Sequence, residues 1–345
     1  MLAPKDGVIG SHELEALFDP WTGRKHIIAA VSGGPDSIAL LHMLSKWSNS
    51  GDRPKITAAT VDHGLRPEAA AEAAAVQAFA AELGVDHNTL IWAHGGARTP
   101  ATKIQERARE ARYELLADHA KECGADVVMC AHHADDQAET ILFRLTRGSG
   151  PSGLAGMLPE RPLGDLFLAR PLLALRKEQL VQYCHDNTLT YCSDPSNGNR
   201  RYARTRMRSV LPVLEAQGLG PDQWNRYARR MAQANDALEH IAAAKAAQLI
   251  GGDTSSGLIF DFAALSEEPD EIVLRVLLQT VRKFDPRKNV RLDRAETLLA
   301  KLLIAVRDHV PHHSTLGQAV LRLDSKGALT LKRQSERKRG RRGTP

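Results

Sequence analysis

His26-Ile27-Ile28-Ala29-Ala30-Val31-Ser32-Gly33-Gly34-Pro35-Asp36-Ser37-Ile38-Ala39-Leu40-Leu41-His42-Met43-Leu44 is the stretch on which the reading of this chain turns. His26–Val31 is apolar with no alternation, the pattern of a parallel strand buried on both faces, and Ser37–Leu44 continues as an apolar helix. Between them, Gly33 and Gly34 let the backbone approach a ligand closely and take positive φ. Successive N–H groups can then line an anion-binding nest at a helix N-terminus. The turn has neither the Lys-Ser/Thr ending of G-x-x-x-x-G-K-[ST] nor the spacing of G-x-G-x-x-G. Taken alone, a Gly-Gly-Pro turn with Asp36 or Ser37 as helix cap also accounts for each residue.

Outward from this stretch, strand alternates with helix. Lys55–Val61 reads as a second strand ending in Asp62-His63-Gly64-Leu65-Arg66, followed by a helix over 68–83. Val85–Trp92 reads as a third strand and 102–123 as a helix. Ala125–Ala131 is a fourth strand, ending in His132-His133-Ala134-Asp135-Asp136-Gln137-Ala138-Glu139-Thr140 and another helix. The expected fold class is therefore α/β, a doubly wound parallel sheet, whose ligands bind beyond the carboxyl ends of the strands. Ser32–Ser37, Asp62–Arg66 and His132–Glu139 all fall at such ends.

His132 and Asp136, Asp135 and Glu139, and Asp136 and Glu139 are three or four residues apart, so they share one end of a helix. The mutual repulsion of the carboxylates suits a cation among them, either Mg²⁺ or a substrate ammonium. Favourable placement at a helix N-terminus accounts for Asp135 and Asp136 but less well for the paired histidines before them. In the helix over 102–123, Arg112 is expected at the margin of a stripe of Ile104, Ala108 and Leu115, where a guanidinium needs an acidic side chain or a ligand anion. Arg200, Arg201, Arg204, Arg206 and Arg208 form a basic strip, which reads either as a solvated helix face or as a contact to RNA phosphates.

The 345 residues are 43% hydrophobic and 25% charged, which suits a globular chain of two domains. Cys123, Cys130, Cys184 and Cys192 make no C-x-x-C pair, so zinc, iron–sulfur and disulfide roles are not expected. No eighteen-residue apolar run and no basic-then-apolar leader occur, so the cytoplasm is the expected location. Residues 332–342 hold seven Lys/Arg and one Glu, leaving 39 basic against 40 acidic residues elsewhere. The +5 charge thus sits in a tail read as disordered and nucleic-acid-seeking.

S-G-G-x-D-S after a strand resembles the pyrophosphate loop of the ATP pyrophosphatases (PP-loop proteins). The resemblance narrows through V-S-G-G-P-D-S at 31–37, V-D-H-G-L-R at 61–66, A-R-E-A-R-Y-E-L-L at 108–116 and A-H-H-A-D-D-Q-A-E-T at 131–140. R-G-S-G at 147–150, R-P-L-L at 170–173 and D-P-S-N at 194–197 follow. In this order, over roughly 26–212, the chain is similar to the tRNA(Ile)-lysidine synthetases. It departs from them at Cys192-Ser193, where an acidic residue often precedes D-P-S-N, and at Arg204-Thr205, where an Arg-Asn pair is usual.

The resemblance implies that ATP adenylates the C2 oxygen of the wobble cytidine in the CAU anticodon of an isoleucine tRNA. The ε-amino group of L-lysine then displaces AMP. It implies ATP contacts at Ser32, Gly33, Gly34, Pro35, Asp36, Ser37, Asp62, His63 and Arg109, and Mg²⁺ at Asp36 and Asp136. Arg112, His132, Asp136 and Glu139 are expected around lysine; Asp36, Asp136, Arg112 and His132 form the expected catalytic set; Arg201, Arg204, Arg206 and Arg208 are expected on tRNA. The implied domains are a PP-loop catalytic domain over 1–217, a smaller, mainly helical tRNA-binding domain with a C-terminal hairpin over 218–334, and the tail over 335–345. No further C-terminal domain is expected, and a homodimer is left open. Three rivals fit less well. Sulfur-carrying tRNA thiolases would want C-x-x-C, and GMP- or asparagine-synthetase relatives a glutamine-hydrolysing domain. A non-catalytic nucleotide-binding module would need neither the His132–Glu139 cluster nor the arginine strip.

Overall fold

The structure, a computed structural model, describes residues 9–64, 68–93, 104–192, 203–253, 257–284 and 290–334. Leu65-Arg66, the D-P-S-N motif at 194–197 and the tail over 335–345 lie outside the described residues. The chain forms two compact units, Met1–Met231 and Ala232–Pro345. They divide inside a long helix, whereas the boundary expected at 217/218 stands just before it.

The first unit runs α1 (Ser11–Phe18), β1 (His26–Ala30), α2 (Pro35–Ser48), β2 (Lys55–Asp62), α3 (Ala69–Glu82), β3 (Asp86–Ile91), α4 (Ile104–Glu122), β4 (Val127–Cys130) and α5 (Ala134–Leu145). It continues with α6 (Pro151–Leu154), β5 (Glu160–Leu163), β6 (Leu166–Ala169), α7 (Lys177–Asp186), α8 (Ala203–Ala216) and the start of α9 (Pro221–Leu249). The sheet order is β3-β2-β1-β4-β6-β5. Every pair is parallel except β5 with β6. Strand order reverses between β1 and β4, the switch point where ligands of doubly wound sheets bind.

Both faces of the sheet are covered, which is why its central strands are apolar throughout. Ile27, Ala29, Val127, Met129 and Ala169 pack with α1, α2 and α7 on one face. Ile28, Val128, Cys130 and Leu168 pack with Leu116 and Ala120 of α4 on the other. Fully burying each of the Ile, Val, Leu and Met side chains among these contributes about 1.5–3 kcal/mol. β5 and β6 were not foreseen, although Gly164-Asp165 between Leu163 and Leu166 is a two-residue hairpin signal, with Gly164 at φ +63°.

The α4 stripe differs from expectation. Tyr113, Leu116, Ala117 and Ala120 pack on the sheet, an i, i+3, i+4, i+7 face, and Arg112 is exposed beside it. The aliphatic Leu115 is only half-buried, because the aromatic ring of Tyr113 takes the contact face instead.

The second unit holds more than the expected hairpin. After α9 come β7 (Ile250–Asp253), β8 (Gly257–Asp261), α10 (Phe262–Leu265), α11 (Asp270–Phe284), α12 (Leu292–Arg307), β9 (His312–Leu316), β10 (Ala319–Leu323) and β11 (Ala328–Arg333). The strands form an antiparallel sheet in the order β7-β8-β11-β10-β9. Its inner face, with Phe260, Leu321 and Leu331, packs on α11 and α12. The polar β9 and Gly-rich β7 carry little apolar pattern, so neither reads as a strand by itself. Among the described residues no helix is long and apolar enough to cross a membrane.

Candidate active site

The turn after β1 is tied by its own side chains. Ser37 Oγ accepts from Ser32 N–H at 3.1 Å and donates to the Gly34 carbonyl at 2.9 Å. Gly33 holds φ +85°, and its carbonyl accepts the Cys192 N–H at 2.9 Å. Gly34 is the extended N-cap and Pro35 the first residue of α2, so the helix begins two residues earlier than expected and the first-turn N–H groups face the turn. The favourable end of a fourteen-residue helix thus lies behind Ser32–Ser37. At the neighbouring strand end, Asp62 Oδ1 accepts the Gly64 N–H at 2.8 Å, and His63 meets Trp92 edge-to-face at 5.8 Å.

Adjacent histidines at the end of β4 fall on opposite sides of the sheet, because strand alternation carries on past Cys130. His133 faces the α2 side and gathers three carboxylates. Its Nε2 lies 3.4 Å from Asp136 and 3.6 Å from Asp36, and its Nδ1 lies 3.3 Å from Asp135. Burial opposes its charge, but donation of its ring N–H groups to the carboxylates of Asp135 and Asp36, and the nearby charge of Asp136, overcome this and raise its pKa to about 10. It is an imidazolium. Burial likewise opposes ionisation of Asp36, yet His133 and then Lys177 hold its pKa below the usual carboxylate range. Lys177, at the start of α7, reaches Asp36 at 3.4 Å, and its N–H donates to Asp135 at 2.8 Å.

His132 faces the α4 side, among arginines. Burial, then the charges of Arg170, Arg109 and Arg112, lower its pKa to about 3, so it is neutral. Its Nδ1 is buried without a hydrogen-bond partner among the described residues. Arg109, expected at ATP, therefore stands with Arg112 across the sheet from the Ser32–Ser37 turn.

Glu139 does not join Asp135 and Asp136. It is buried and accepts from Arg208 Nε of α8 at 2.5 Å, while Asp136 Oδ2 turns back to accept the His133 N–H at 3.2 Å. Arg208 thus has an intramolecular partner. Arg201, and the side chains of Arg204 and Arg206, lie outside the described residues.

Asp36 Oδ1 is buried with no hydrogen-bond partner among the described residues, and Asp36 and Asp136 both reach the same imidazole nitrogen. These hard oxygens fit Mg²⁺, which keeps waters and substrate phosphates as its other ligands. No group of three or more His, Cys, Asp or Glu among the described residues is arranged to hold a metal by itself. Lys177, which meets Asp36 and Asp135, is absent from the sequence-based expectations. Lys177 opens the helix that follows the R-P-L-L motif, after Ala174-Leu175-Arg176, which is the signal that could have found it.

Residues 9–214 match the PP-loop domain family. A curated tRNA(Ile)-lysidine synthase of Methylobacterium sp. (strain 4-46) is 41% identical over 338 residues, 96% of each chain. Another from Bradyrhizobium sp. (strain BTAi1) is 40% identical and covers 85% of this chain and 84% of its own. Among solved structures, the U34-tRNA thiolase of Methanococcus maripaludis superposes with a TM-score of 0.54 at 17% identity, covering 64% of this chain and 79% of its own. That likeness concerns the fold alone.

Proposed function

The chain belongs to the tRNA(Ile)-lysidine synthases, within the PP-loop proteins, and from that premise we propose how its residues divide the work of an ATP-dependent ligase that forms a carbon–nitrogen bond. The substrates are ATP, L-lysine and the isoleucine tRNA whose anticodon is CAU. The C2 oxygen of the wobble cytidine attacks the α-phosphorus of ATP and diphosphate leaves. The ε-amino group of lysine then attacks C2, and AMP departs with the oxygen. All three substrates meet in the cytoplasm.

The diphosphate portion of ATP lies over Ser32, Gly33, Gly34, Pro35, Asp36 and Ser37, where backbone N–H groups and the helix dipole neutralise the leaving charge. Asp62 and His63 flank the nucleotide at the next strand end. Asp36 and Asp136 would hold Mg²⁺, which when bound supplies charge neutralisation at the phosphates. Protonated His133 keeps the two carboxylates together. Lys177 shares Asp36 and can turn to the diphosphate.

Lysine spans the end of β4, with its carboxylate on Arg112 on the α4 side and its ammonium groups towards Glu139 and Asp136. The attacking amine must lose a proton, and neutral His132 has a ring nitrogen, unpartnered among the described residues, that can accept a hydrogen bond from the amine. Lysine's ammonium must displace the guanidinium of Arg208 to reach Glu139. Arg208 then exchanges its carboxylate for an RNA phosphate, alongside Arg201, Arg204 and Arg206.

The observation that carries this reading is Asp36, whose buried Oδ1 lacks a partner among the described residues although two cations hold the carboxylate ionised. Diphosphate release, measured with an isoleucine tRNA transcript, with and without lysine, tests it. Asp36→Asn should abolish release under both conditions while leaving the melting temperature near that of the wild type. Normal release by this variant would overturn the assignment.

A further inference from the structure

Four described arginines of the first unit, Arg24, Arg53, Arg176 and Arg208, end on a carboxylate of another element. Arg24 reaches Glu160 at 3.1 Å, Arg53 reaches Glu15 at 2.6 Å and Arg176 reaches Asp222 at 2.7 Å. Around Tyr113 the pattern breaks. The guanidinium carbons of Arg109 and Arg161 lie 5.5 and 5.4 Å from its ring centre, and Arg109 also donates to the phenol oxygen at 3.4 Å.

Arg170 stands behind them, only 4% exposed. Its Nη1 donates to the Leu158 carbonyl at 2.7 Å, and its Nε has no partner among the described residues. The ionisable groups that act most on Arg170 are Tyr113, Cys130, Arg161 and Arg109, none of them a carboxylate. Burying a guanidinium among like charges is unfavourable unless an anion is to be bound there. The register explains how these residues meet. Arg161 pairs with Leu168 and so shares its α4 side, and Arg170 follows the end of β6 on that side.

We propose that Arg161, Arg170 and Arg109, around Tyr113, bind a backbone phosphodiester of the tRNA strand next to the reactive cytidine. The proposal rests on the reading of this edge as a lysidine-forming site. Three observations favour RNA over the smaller anions. Arg161 lies two strands from the end of β4, about 10 Å across the sheet, which is beyond the span of a lysine carboxylate held at Arg112. The ATP turn belongs to the opposite side of the sheet. Finally, an aromatic ring edged by guanidiniums is a platform for unstacked nucleotides, and a cytidine must leave its stack for its C2 oxygen to be reached.

Arg161→Gln in the full chain tests this. The residue is on an edge strand, and among the described residues its side chain donates to the Pro162 carbonyl at 3.1 Å, so folding should survive. Affinity for an isoleucine tRNA transcript should fall about tenfold. The slope of log affinity against log salt should shrink by about 0.7, as for one single-strand phosphate contact. The Michaelis constants for lysine and ATP should not move. Tyr113→Leu, which keeps an apolar contact, should weaken tRNA binding several-fold without changing the salt slope.

A raised lysine constant with unchanged tRNA affinity would make this a carboxylate site. A raised ATP constant would make it a nucleotide site, and no change in any of the three would make the cluster structural. Each of these overturns the proposal. Lysidine formation by the wild type in the same series separates the two levels: wild-type inactivity counts against the underlying reading, whereas wild-type activity with an unaffected Arg161→Gln counts against this proposal alone.

Discussion

Arg208 on α8 donates from Nε to Oε1 of Glu139 on α5 at 2.5 Å, joining residues 69 apart in sequence. Glu139 is buried and Arg208 half exposed, so the mobile partner is the cation. Met207, Leu211 and Leu214 of α8 pack against Ala138, Ile141 and Leu142 of α5, and this holds the pair in register.

Because lysine's ammonium competes with Arg208 for one carboxylate, Arg208→Gln should lower the Michaelis constant for lysine, by roughly three- to tenfold. The same variant should lose about one phosphate contact from the salt dependence of tRNA binding. Steady-state titrations of lysine and salt-dependent filter binding check both. An unchanged lysine constant would mean that the ammonium never meets Glu139.

Glu139→Gln separates the two half-reactions. Removing the charge while keeping an acceptor should weaken lysine by roughly 2–4 kcal/mol, whereas adenylated tRNA still forms and accumulates. Quench-flow detection of the intermediate decides. Its absence, in a variant of normal melting behaviour, would move Glu139 to the adenylation step.

His132 offers a test by pH. Its folded pKa of about 3 lies below the ordinary value of 6.5. As pH falls from about 6.5 towards 3, the unfolded chain therefore takes up a proton that the folded chain does not, and stability is lost across that window. His132→Gln removes this loss. Urea unfolding at pH 7.5 and pH 5 should show the wild type falling further than the variant by about 1–2 kcal/mol. Equal falls would mean that His132 is protonated in the folded state.

Gly33 and Gly34 should differ. At Gly33, φ is +85° and a Cβ would meet only ordinary contacts with Val76 and Cys192, at 3.5 and 3.6 Å, so the cost of Gly33→Ala is backbone strain of about 1–2 kcal/mol. Gly34 has φ −73°, and its Cβ would meet only Ser32 Oγ, at 3.9 Å, so Gly34→Ala should melt within about a degree of the wild type. Thermal melts of the two variants check this, and equal destabilisation would refute the role given to the Gly33 conformation.

By itself the sequence determined the alternation of strand and helix, the two-sided burial of the central strands, and the convergence of Ser32–Ser37, Asp62-His63 and His132–Glu139 at one edge. Each of these is a local matter: period, turn chemistry and the position of a residue at the end of its own strand. Only the tertiary structure decided what those residues face. Neighbours in sequence, His132 and His133, take opposite protonation states because strand alternation turns one towards arginines and the other towards carboxylates. Lys177 meets Asp36 across 141 residues, and Arg208 meets Glu139 across 69. Arg161, Arg170 and Arg109 collect around Tyr113 because β5 begins and β6 ends beside α4. A charge's effect depends on distance and desolvation, and both are set by which elements pack together, which no local spacing along the chain encodes.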